Sequence, residues 1–326
     1  MKAVIYEQYG PPEVLQVTEL SKPAPKDNEI LVKVKATSVT AGDTRMRSFT
    51  VPLSFWLPAR IALGIRKPKN PIIGMECAGV VEAVGQQVTR FKVGDAVFAS
   101  TLESGFGGYA EYICLPEDGV VALMPSNISF PEAAAVPVGA RTALYFLREA
   151  NIQRGQKVLI YGASGSVGSY AVQLAAYFGA EVTAVCSTAN LDWVASLGAA
   201  QTIDYTRDDF SRSGEKYDVI FDTVGKADYA ACINSLKPLG SYLNAVSSPG
   251  VALRMRWTAV TSGKKMVGGG PPRSSEDMTV LAELIEAGEV RVVIDRCYPL
   301  EKIVAAHRYV DLGHKKGNVP IVLDST

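Results

Sequence analysis

Three small residues at fixed spacing, Ala163, Gly165 and Gly168, lie in the stretch GASGSVG at 162–168. They match the fingerprint G-x-G-x-x-G with alanine in place of its first glycine. Small residues at these positions let a backbone approach a pyrophosphate, and the N-terminus of a following helix offers unpaired N–H groups and a positive dipole end. The stretch therefore predicts a dinucleotide site made of Ala163, Ser164, Gly165, Ser166, Val167 and Gly168.

The residues on both sides of this turn support the prediction. Lys157–Tyr161 is a short run with three apolar residues in succession, as in a strand buried on both faces. Apolar residues then recur at helical spacing from Val167 to Phe178, and Gly179 stands where a helix would end. Strand, glycine-rich turn and helix are the three parts of a dinucleotide-binding unit.

The wider pattern changes near Ser129. Residues 1–125 are β-rich, with expected strands at Lys2–Tyr6, Leu15–Thr18, Ile30–Ser38, Gly79–Val84, Ala96–Ala99 and Glu111–Leu115. One helix is expected over Pro131–Ala150. Strands are then expected at Val158–Tyr161, Glu181–Cys186, Thr202–Asp204, Val219–Asp222, Ser241–Val246 and Lys265–Val267, with helices near 166–178, 190–197, 227–236 and 251–262. Such alternation predicts a doubly wound parallel sheet.

A breaker cluster, GGGPPR, follows Val267 and could be a domain hinge. The tail then predicts a helix, a strand, a helix and a last strand, at Glu276–Ala287, Val292–Cys297, Glu301–Leu312 and Val319–Leu323.

Composition limits the function classes. The 326 residues are 48% apolar and carry no net charge, so we expect a packed core and no nucleic-acid or membrane partner. Five scattered cysteines without a C-x-x-C pair indicate reduced thiols. The N-terminus lacks the apolar core of a signal peptide, and no run has the length of a membrane span. We therefore expect a soluble cytoplasmic protein.

Several longer stretches resemble one family. They are MKAVIYEQYGPPEVLQV at the start, PIIGMECAGVVEAVG at 71–85, VTRFKVGDAVFAS at 88–100, GGYAEY at 107–112, GASGSVGSYAVQLAAYFGA at 162–180, LGAAQTIDY at 197–205, YDVIFDTVG at 217–225 and KKGNVPIVL at 315–323. Nearly the whole chain thus resembles the medium-chain dehydrogenase/reductase superfamily, and within it the zinc-independent, zeta-crystallin-like quinone oxidoreductases.

This resemblance implies an α/β fold in which a Rossmann doubly wound parallel sheet is inserted in a β-rich, GroES-like catalytic domain. The implied domains are 1–126 plus 272–326 for catalysis and 127–271 for the cofactor, with hydride transfer in the cleft between them. A homo-oligomer, in particular a dimer, is the expected assembly.

The same resemblance argues against zinc. Relatives with zinc carry Cys where this chain has Thr40 and His where it has Met75, and residues 95–112 contain no cysteine for a structural zinc lobe. Glu76 followed by Cys77 is not a zinc site by itself. We therefore expect no bound metal.

NADPH is the expected cofactor. The strand ending at Cys186 is followed by Ser187 and Thr188, where an NAD-selective site has an acidic residue. Tyr205 stands where NADPH-using relatives place a phosphate-binding tyrosine. Their lysine is replaced by Leu191, so the preference is weaker unless Arg207 supplies the charge. The alternative is that Ser187 and Tyr205 merely end strands.

Further cofactor contacts follow from position. Asp222 and Val224 close one strand of the sheet, and Ala245, Val246 and Ser247 close the next, at the edge where ligands bind. The resemblance adds Thr142 near the nicotinamide ribose and Asn318 in a turn beside the cofactor. Each of these residues could instead belong to a loop without a ligand.

No catalytic dyad stands out. The resemblance places Thr40 and Asp43 on the floor of the cleft, and Arg45 takes the position where zinc-free relatives often carry a tyrosine. Thr40, Asp43 and Arg45 are therefore the catalytic candidates, with the proton donor unassigned. His307 shares an apolar helical face and is expected to be buried and structural, and His314 is expected to be exposed.

The segment 49–70 looks like an insertion relative to short quinone reductases. With Trp56 and Leu57 in it, the segment could be a lid, an oligomer contact or core, and we expect a lid. Its basic residues also suggest a membrane anchor, which its shortness disfavours.

These observations predict an NADPH-dependent, zinc-free reductase of quinones, α,β-unsaturated carbonyls or similar small apolar carbonyl compounds. The alternatives are an alcohol or aldehyde dehydrogenase of the same superfamily and a non-catalytic NADPH-binding protein.

Overall fold

A computed structural model of the chain describes residues 1–51, 53–246 and 248–323. The chain forms two compact units. Unit 1 contains residues 1–138 and the chain from Arg273 onward, and unit 2 contains Gly139–Pro272.

The first segment of unit 1 is rich in strands. Its strands are β1 (Lys2–Ile5), β2 (Gln16–Glu19), β3 (Glu29–Ser38), β4 (Glu76–Val84), β5 (Ala96–Ser100), β6 (Tyr112–Pro116) and β7 (Val121–Leu123). Its α-helices are α1 (Ala41–Ser48), α2 (Leu53–Leu63) and α3 (Phe130–Ala133). The strands expected in residues 1–125 are confirmed as β1 to β6, and β7 was not predicted.

Unit 2 alternates helices with strands. Its elements are α4 (Gly139–Ala150), β8 (Lys157–Tyr161), α5 (Ser166–Tyr177), β9 (Glu181–Cys186), α6 (Leu191–Ala195), β10 (Gln201–Asp204), β11 (Tyr217–Asp222), α7 (Tyr229–Ser235), β12 (Leu236–Asn244), α8 (Pro249–Ser262) and β13 (Lys265–Gly268). Unit 1 then resumes with α9 (Glu276–Glu286), β14 (Tyr298–Pro299), α10 (Ile303–Asp311) and β15 (Pro320–Val322).

The described strands of unit 2 form one parallel sheet in the order β10-β9-β8-β11-β12-β13. Val158, Leu159 and Ile160 of the central strand β8 are fully buried, because helices cover both faces of such a sheet. From β8 the chain first adds β9 and β10 on one side of the sheet, and then β11, β12 and β13 on the other side. The carboxyl ends of β8, β9 and β11 therefore meet at the edge where doubly wound folds bind ligands. The predicted doubly wound sheet is confirmed.

Unit 1 contains a mixed sheet along the path β14-β15-β3-β4-β5-β7, with β6 also paired to β3. Pairs between β3 and its neighbours β4, β6 and β15 are antiparallel. The last strand, β15, thus pairs with β3 and completes the sheet of unit 1.

The single helix expected over Pro131–Ala150 is wrong, because α3 and α4 are separate helices. Pro137 interrupts them, since it has no N–H for an intrahelical bond and restricts the residue before it. The next N–H, that of Val138, donates to Oε2 of Glu76 at 2.8 Å instead of to a helical carbonyl. This bond also ties the chain up to Val138 to unit 1, whereas the sequence predicted a boundary at residue 126.

The strand expected over Val292–Cys297 is also wrong. Only Ile294 forms a bridge there, to Asn318, and regular pairing with β15 begins at Tyr298. The carbonyl of Val293 accepts both the main-chain N–H and the side-chain Nδ2 of Asn318, at 3.0 and 3.1 Å. In this stretch a side-chain hydrogen bond from Asn318 thus replaces the regular main-chain pairing of a β-strand.

Along the ranges that the structure describes, no helix combines the length and the apolar character that a membrane crossing requires.

Candidate functional site

The glycine-rich turn connects the end of β8 to the start of α5. Gly162 has φ +82°, a conformation that favours glycine. The N–H groups of Gly162 and Ala163 both donate to the carbonyl of Val185 at 3.0 Å, and the Gly165 N–H donates to the carbonyl of Gly162 at 3.1 Å. The turn is therefore held against β9, and Gly165 becomes the N-cap of α5.

Gly168 is required by packing. A Cβ atom at this position would lie 2.1 Å from the carbonyl oxygen of Gly162 and 2.7 Å from Cα of Ala163. Ala163 itself is fully buried, and the positive φ falls on Gly162, one residue earlier. Alanine is therefore tolerated in place of the first glycine of the fingerprint. The result is a helix N-terminus at close approach to a small-residue turn, which suits a pyrophosphate.

Ser187, directly after β9, lies in a small hydrogen-bonded chain. The Trp193 Nε1–H donates to Oδ1 of Asn190 at 2.9 Å, and Nδ2 of Asn190 donates to Oγ of Ser187 at 2.9 Å. Because the Ser187 oxygen accepts from Asn190, its O–H remains to be donated to a ligand. Such a donor at the end of β9 is suited to a phosphate oxygen.

The neighbouring position carries a negative charge that the sequence did not indicate. The Thr188 hydroxyl donates to Asp204 at the end of β10, and the Thr206 hydroxyl donates to the same carboxylate at 2.7 Å. These bonds, that of Thr188 first, lower the pKa of Asp204. The Nε atom of Arg207 lies 3.7 Å from this carboxylate. Arg207 is thus attracted to Asp204, which reduces what it can offer a 2′-phosphate.

Tyr205 leaves its side chain about half exposed beside this group. Its N–H donates to the carbonyl of Cys186 at 3.1 Å, and 48% of the residue is accessible. Its ring centroid lies 6.4 Å from that of Tyr161. The Tyr205 side chain is therefore partly accessible at the ends of β9 and β10.

Asp222, at the end of β11, holds its own loop. Its carboxylate accepts from the N–H groups of Val224, Gly225 and Ala227 at 3.1, 2.8 and 3.2 Å. Burial raises its pKa, and these bonds oppose the shift. Asp222 therefore shapes the edge of the sheet where Val224 lies half-buried.

For the remaining predicted cofactor residues, the structure shows burial and structural contacts. Thr142, Ala245 and Val246 lie half-buried in unit 2, and Ser247 is outside the described residues. Asn318 lies in unit 1, is nearly fully buried and gives its side-chain N–H to Val293. That bond is structural.

Thr40 and Asp43 are brought together in unit 1 by the first turn of α1. Thr40 is the N-cap and Asp43 the N3 residue of a capping box. Oδ2 of Asp43 accepts from the Thr40 hydroxyl at 2.6 Å and from the Thr40 N–H at 2.9 Å, and the Asp43 N–H donates to Oγ1 of Thr40 at 3.1 Å. Arg45, the third catalytic candidate, has an exposed side chain.

Two buried carboxyl groups lie near each other here. Burial raises the pKa of Asp43 to about 6 and that of Glu76 to about 7. Glu76 accepts from the Ser38 hydroxyl and from the Val138 N–H. Their like charges contribute to the raised pKa of Glu76, while the ammonium group of Lys315 opposes it. Groups poised near neutral pH are typical of acid–base sites.

The grouping of buried polar residues next to Asp43 was not predicted from the sequence. Tyr109, His307 and Arg47 are all buried, with His307 between the other two. His307 is thus buried and structural, and His314 is exposed, both as expected. Lys315 was missed too, because nothing in the stretch HKKGN indicates that burial lowers the pKa of one lysine to about 8.

The residues at the zinc positions do not suit zinc. Oγ1 of Thr40 is 3.5 Å from Sδ of Met75, and a hydroxyl and a thioether are poor ligands compared with thiolate and imidazole. Within the described part of the chain, no group of three His, Cys, Asp or Glu side chains could hold a metal ion.

A GroES-like β-domain and a separate doubly wound dinucleotide unit together define a class, the nicotinamide-dependent oxidoreductases. Two family descriptions match the chain, "Alcohol dehydrogenase GroES-like domain" at residues 26–126 and "Zinc-binding dehydrogenase" at residues 197–321. The protein belongs to the medium-chain dehydrogenase/reductase superfamily and, within it, to the quinone oxidoreductase branch.

Individual relatives support this assignment. A quinone oxidoreductase of Sus scrofa is 34% identical over 97% of this chain and 95% of its own length. An NADPH-dependent alkenal/one oxidoreductase of Arabidopsis thaliana, chloroplastic, is 31% identical over 98% of this chain and 79% of its own length. The structure of a quinone oxidoreductase from Coxiella burnetii superimposes with a TM-score of 0.89, at 28% identity and 99% coverage of both chains.

Proposed function

We propose that the protein catalyses NADPH-dependent, zinc-independent transfer of hydride to quinones or α,β-unsaturated carbonyl compounds. The observation that carries this proposal is the close-packed glycine turn at the N-terminus of α5, which forms a cradle for a pyrophosphate. The names of the quinone and alkenal/one oxidoreductase relatives support the substrate class.

The cofactor side of the proposal assigns each residue a separate task. Residues 163–168 surround the pyrophosphate. The main-chain N–H groups at the start of α5 are the donors to it, because those of Ala163 and Gly165 are already donated to Val185 and Gly162. Ser187, held as a donor by Asn190, binds the 2′-phosphate, and Tyr205 packs beside it. The other predicted residues are proposed to line or support the rest of the cofactor: Thr142, Asp222, Val224, Ala245, Val246, Ser247 and Asn318. Bound NADPH supplies the hydride.

The proton is proposed to come from Asp43 through Thr40. While Asp43 is ionised, the Thr40 hydroxyl donates to it and cannot donate to a substrate. Once Asp43 is protonated, its O–H can donate to Oγ1 of Thr40, and the Thr40 hydroxyl is released toward the substrate oxygen. Hydride addition to an enone leaves an enolate, which takes this proton, and the same two transfers turn a quinone into a hydroquinone. Arg45, being exposed, is left to attract or orient the acceptor.

The inserted segment is proposed to act as a lid. The guanidinium of Arg60 lies 3.8 Å from the ring centroid of Phe49, 4.6 Å from that of Tyr9 and 5.1 Å from that of Trp56. This cation–π cluster attaches α2 to the start of the chain while 44% of Trp56 stays exposed. An anchored helix with an accessible aromatic side chain is suited to cover a small apolar substrate.

A cytoplasmic homodimer is the proposed form. Leu253, Trp257 and Val260 are more than two-thirds exposed on one face of α8 and support an intermolecular contact. The scattered free cysteines support a reducing compartment.

The decisive experiment is NADPH oxidation by the purified protein with quinones, enals, enones, and saturated aldehydes as separate acceptors. Turnover with the conjugated acceptors and little with the saturated ones is expected. Preference for saturated aldehydes would favour an alcohol dehydrogenase. Tight NADPH binding without turnover of any acceptor would favour a non-catalytic binding protein.

A further inference from the structure

Behind Asp43, a row of buried polar side chains connects α1, α10 and the loop before β6. Arg47, His307 and Tyr109 are each at most 2% exposed. Nη1 of Arg47 lies 3.2 Å from Nδ1 of His307, and Nε2 of His307 lies 3.1 Å from the Tyr109 hydroxyl. Both nitrogens of one imidazole are therefore engaged by buried partners.

The Arg47 end of this row is fixed. Its Nη2 donates to Asp311 at 2.8 Å and its Nε donates to the carbonyl of Gly10 at 3.2 Å. A guanidinium has only donors, so Nδ1 of His307 must accept. In a neutral imidazole Nε2 then carries the hydrogen and donates to the Tyr109 oxygen. Burial first, and Arg47 second, lower the pKa of His307 to about 3, which keeps the ring neutral.

This polarity leaves the Tyr109 O–H in need of an acceptor. Oδ1 of Asp43 is a buried oxygen without a partner at full hydrogen-bonding distance among the described residues, whereas Oδ2 is engaged by Thr40. The Gly74 N–H and the Tyr109 O–H both lie close enough to this carboxyl group to lower its pKa, and Tyr109 is the side-chain donor of the two. The Tyr109 hydroxyl and the Asp43 carboxyl group interact electrostatically. Asp43 is therefore the acceptor that the structure offers to the Tyr109 O–H.

We propose that Arg47, His307 and Tyr109 form a hydrogen-bonded chain of fixed direction whose last O–H points to Oδ1 of Asp43, which makes Tyr109 a positioning residue for the Thr40–Asp43 proton donor. This inference rests on the proposed function for its catalytic consequence and on geometry alone for the direction of the chain. This hydrogen-bonded chain keeps the Asp43 carboxyl group in the orientation in which Oδ2 accepts from Thr40.

Other titratable groups also face Asp43. The charge of Asp43 raises the pKa of Glu76 on β4, and the ammonium group of Lys315 opposes this shift. Tyr6, after β1, interacts with Asp43 and remains neutral because burial raises its pKa well above the ordinary range. The guanidinium of Arg47 acts on Tyr109 and opposes the raised pKa of that hydroxyl. Tyr109 is the neutral hydrogen-bond donor to Asp43 among these groups. Removing its hydroxyl therefore tests the proposed bond without changing any charge near Asp43.

The direction of the chain can be measured without activity. The protein has two histidines, so a His314→Asn variant leaves His307 as the only imidazole in a ¹⁵N spectrum. We expect Nδ1 without hydrogen and Nε2 with hydrogen, unchanged between about pH 5 and pH 8, across the range where an ordinary histidine titrates. A hydrogen on Nδ1, or titration within this range, would overturn the proposal.

The catalytic consequence is tested with Tyr109→Phe, which removes one O–H and keeps the ring. Because Tyr109 stabilises ionised Asp43, its loss should shift the alkaline fall of kcat for an enone upward by about one pH unit. Tyr112→Phe, on β6 nearby, is the matched control and should leave the profile in place. Equal profiles for wild type and Tyr109→Phe, with NADPH affinity retained, would contradict the inference.

The two failures are distinguishable. If the wild-type protein reduces no enone or quinone, the proposed function fails while the ¹⁵N measurement still decides the direction of the chain. If the wild type is active and only the Tyr109→Phe profile is unmoved, the inference fails alone. If Tyr109→Phe does not fold, the ¹⁵N spectrum of His307 still decides whether the hydrogen-bonded chain has the proposed direction.

Discussion

The hydroxyl of Thr40 lies 2.6 Å from Oδ2 of Asp43, inside the first turn of α1. The same bond caps a helix and connects the half-buried Thr40 to a buried carboxyl group. Capping explains why the two residues lie together, and the raised pKa of Asp43 explains how the pair could hold a proton.

Asp43→Asn should lower kcat for enones by about a hundredfold or more, the usual contribution of a positioned acid, while NADPH affinity stays unchanged. In the wild type, activity requires protonated Asp43 and should fall as the pH rises through about 6. In Asp43→Asn the residual kcat should no longer fall over this pH range. Steady-state rates across pH provide the measurement, and an unchanged limb in Asp43→Asn would exclude Asp43 as the donor.

Ser187→Asp should weaken NADPH binding by of order 1 kcal/mol or more, about fivefold to tenfold, because a carboxylate would face the 2′-phosphate. NADH affinity should be retained or improved. Fluorescence titration with both cofactors measures the ratio. Ser196→Asp introduces the same charge on a nearby exposed serine and should change neither affinity. If the wild type binds NADH as tightly as NADPH, the assigned role of Ser187 is wrong.

Purified protein should contain no stoichiometric zinc and should retain its activity in chelator. The reason is that Thr40 and Met75 replace the thiolate and imidazole ligands of zinc-dependent relatives. Elemental analysis and assays with and without chelator give the answer, with one zinc per chain as the contrary result.

Trp56→Ala should raise KM for large quinones or enals by about tenfold, and much less for small ones, because burying a ring contributes roughly 1.5–3 kcal/mol. NADPH affinity should be unaffected. Trp257→Ala, an exposed tryptophan on α8 in unit 2, is the matched control and should leave the trend with substrate size intact.

The two tryptophan variants also separate the proposed lid from the proposed dimer contact. Sedimentation should change for Trp257→Ala and remain unchanged for Trp56→Ala. If Trp56→Ala alters sedimentation and spares the size trend, the segment 49–70 is an oligomer contact.

Stability should fall as the pH rises through the range set by Glu76. Burial raises its pKa from 4.5 in the unfolded chain to about 7 in the folded one. Its contribution is therefore fully present below pH 4.5 and is lost as the pH rises to about 7. Glu76→Gln should flatten this decline, by at most a few kcal/mol. Denaturant melts at several pH values measure it, and equal slopes for both proteins would contradict the assignment.

Local patterns predicted most of the fold. Alternation, β-branched runs and glycine punctuation were enough to find β3, β8 and β9, because those signals lie within a few residues of one another. The break between α3 and α4 was also present in the sequence, as Pro137, and was overlooked in a run with helical character.

The site was predictable only where its parts are adjacent in the chain. The turn at 162–168 is one such part, and Thr40 with Asp43 is another. The surroundings of Asp43 come from Tyr109 and His307, which are distant in sequence, and no local spacing encodes a contact of that kind. The same applies to Asp204 at the end of β10, whose carboxylate accepts from Thr188, 16 residues earlier in the chain.

The pairing of β15 with β3 has a consequence for biosynthesis. Unit 2 is one continuous stretch, so it can fold as soon as Pro272 has left the ribosome. The sheet of unit 1 must wait until Pro320 can pair with Ser38. The residues on either side of Thr40 therefore emerge early and gain their final strand last. A chain truncated before residue 320 should accumulate with a folded cofactor unit and an incomplete catalytic one.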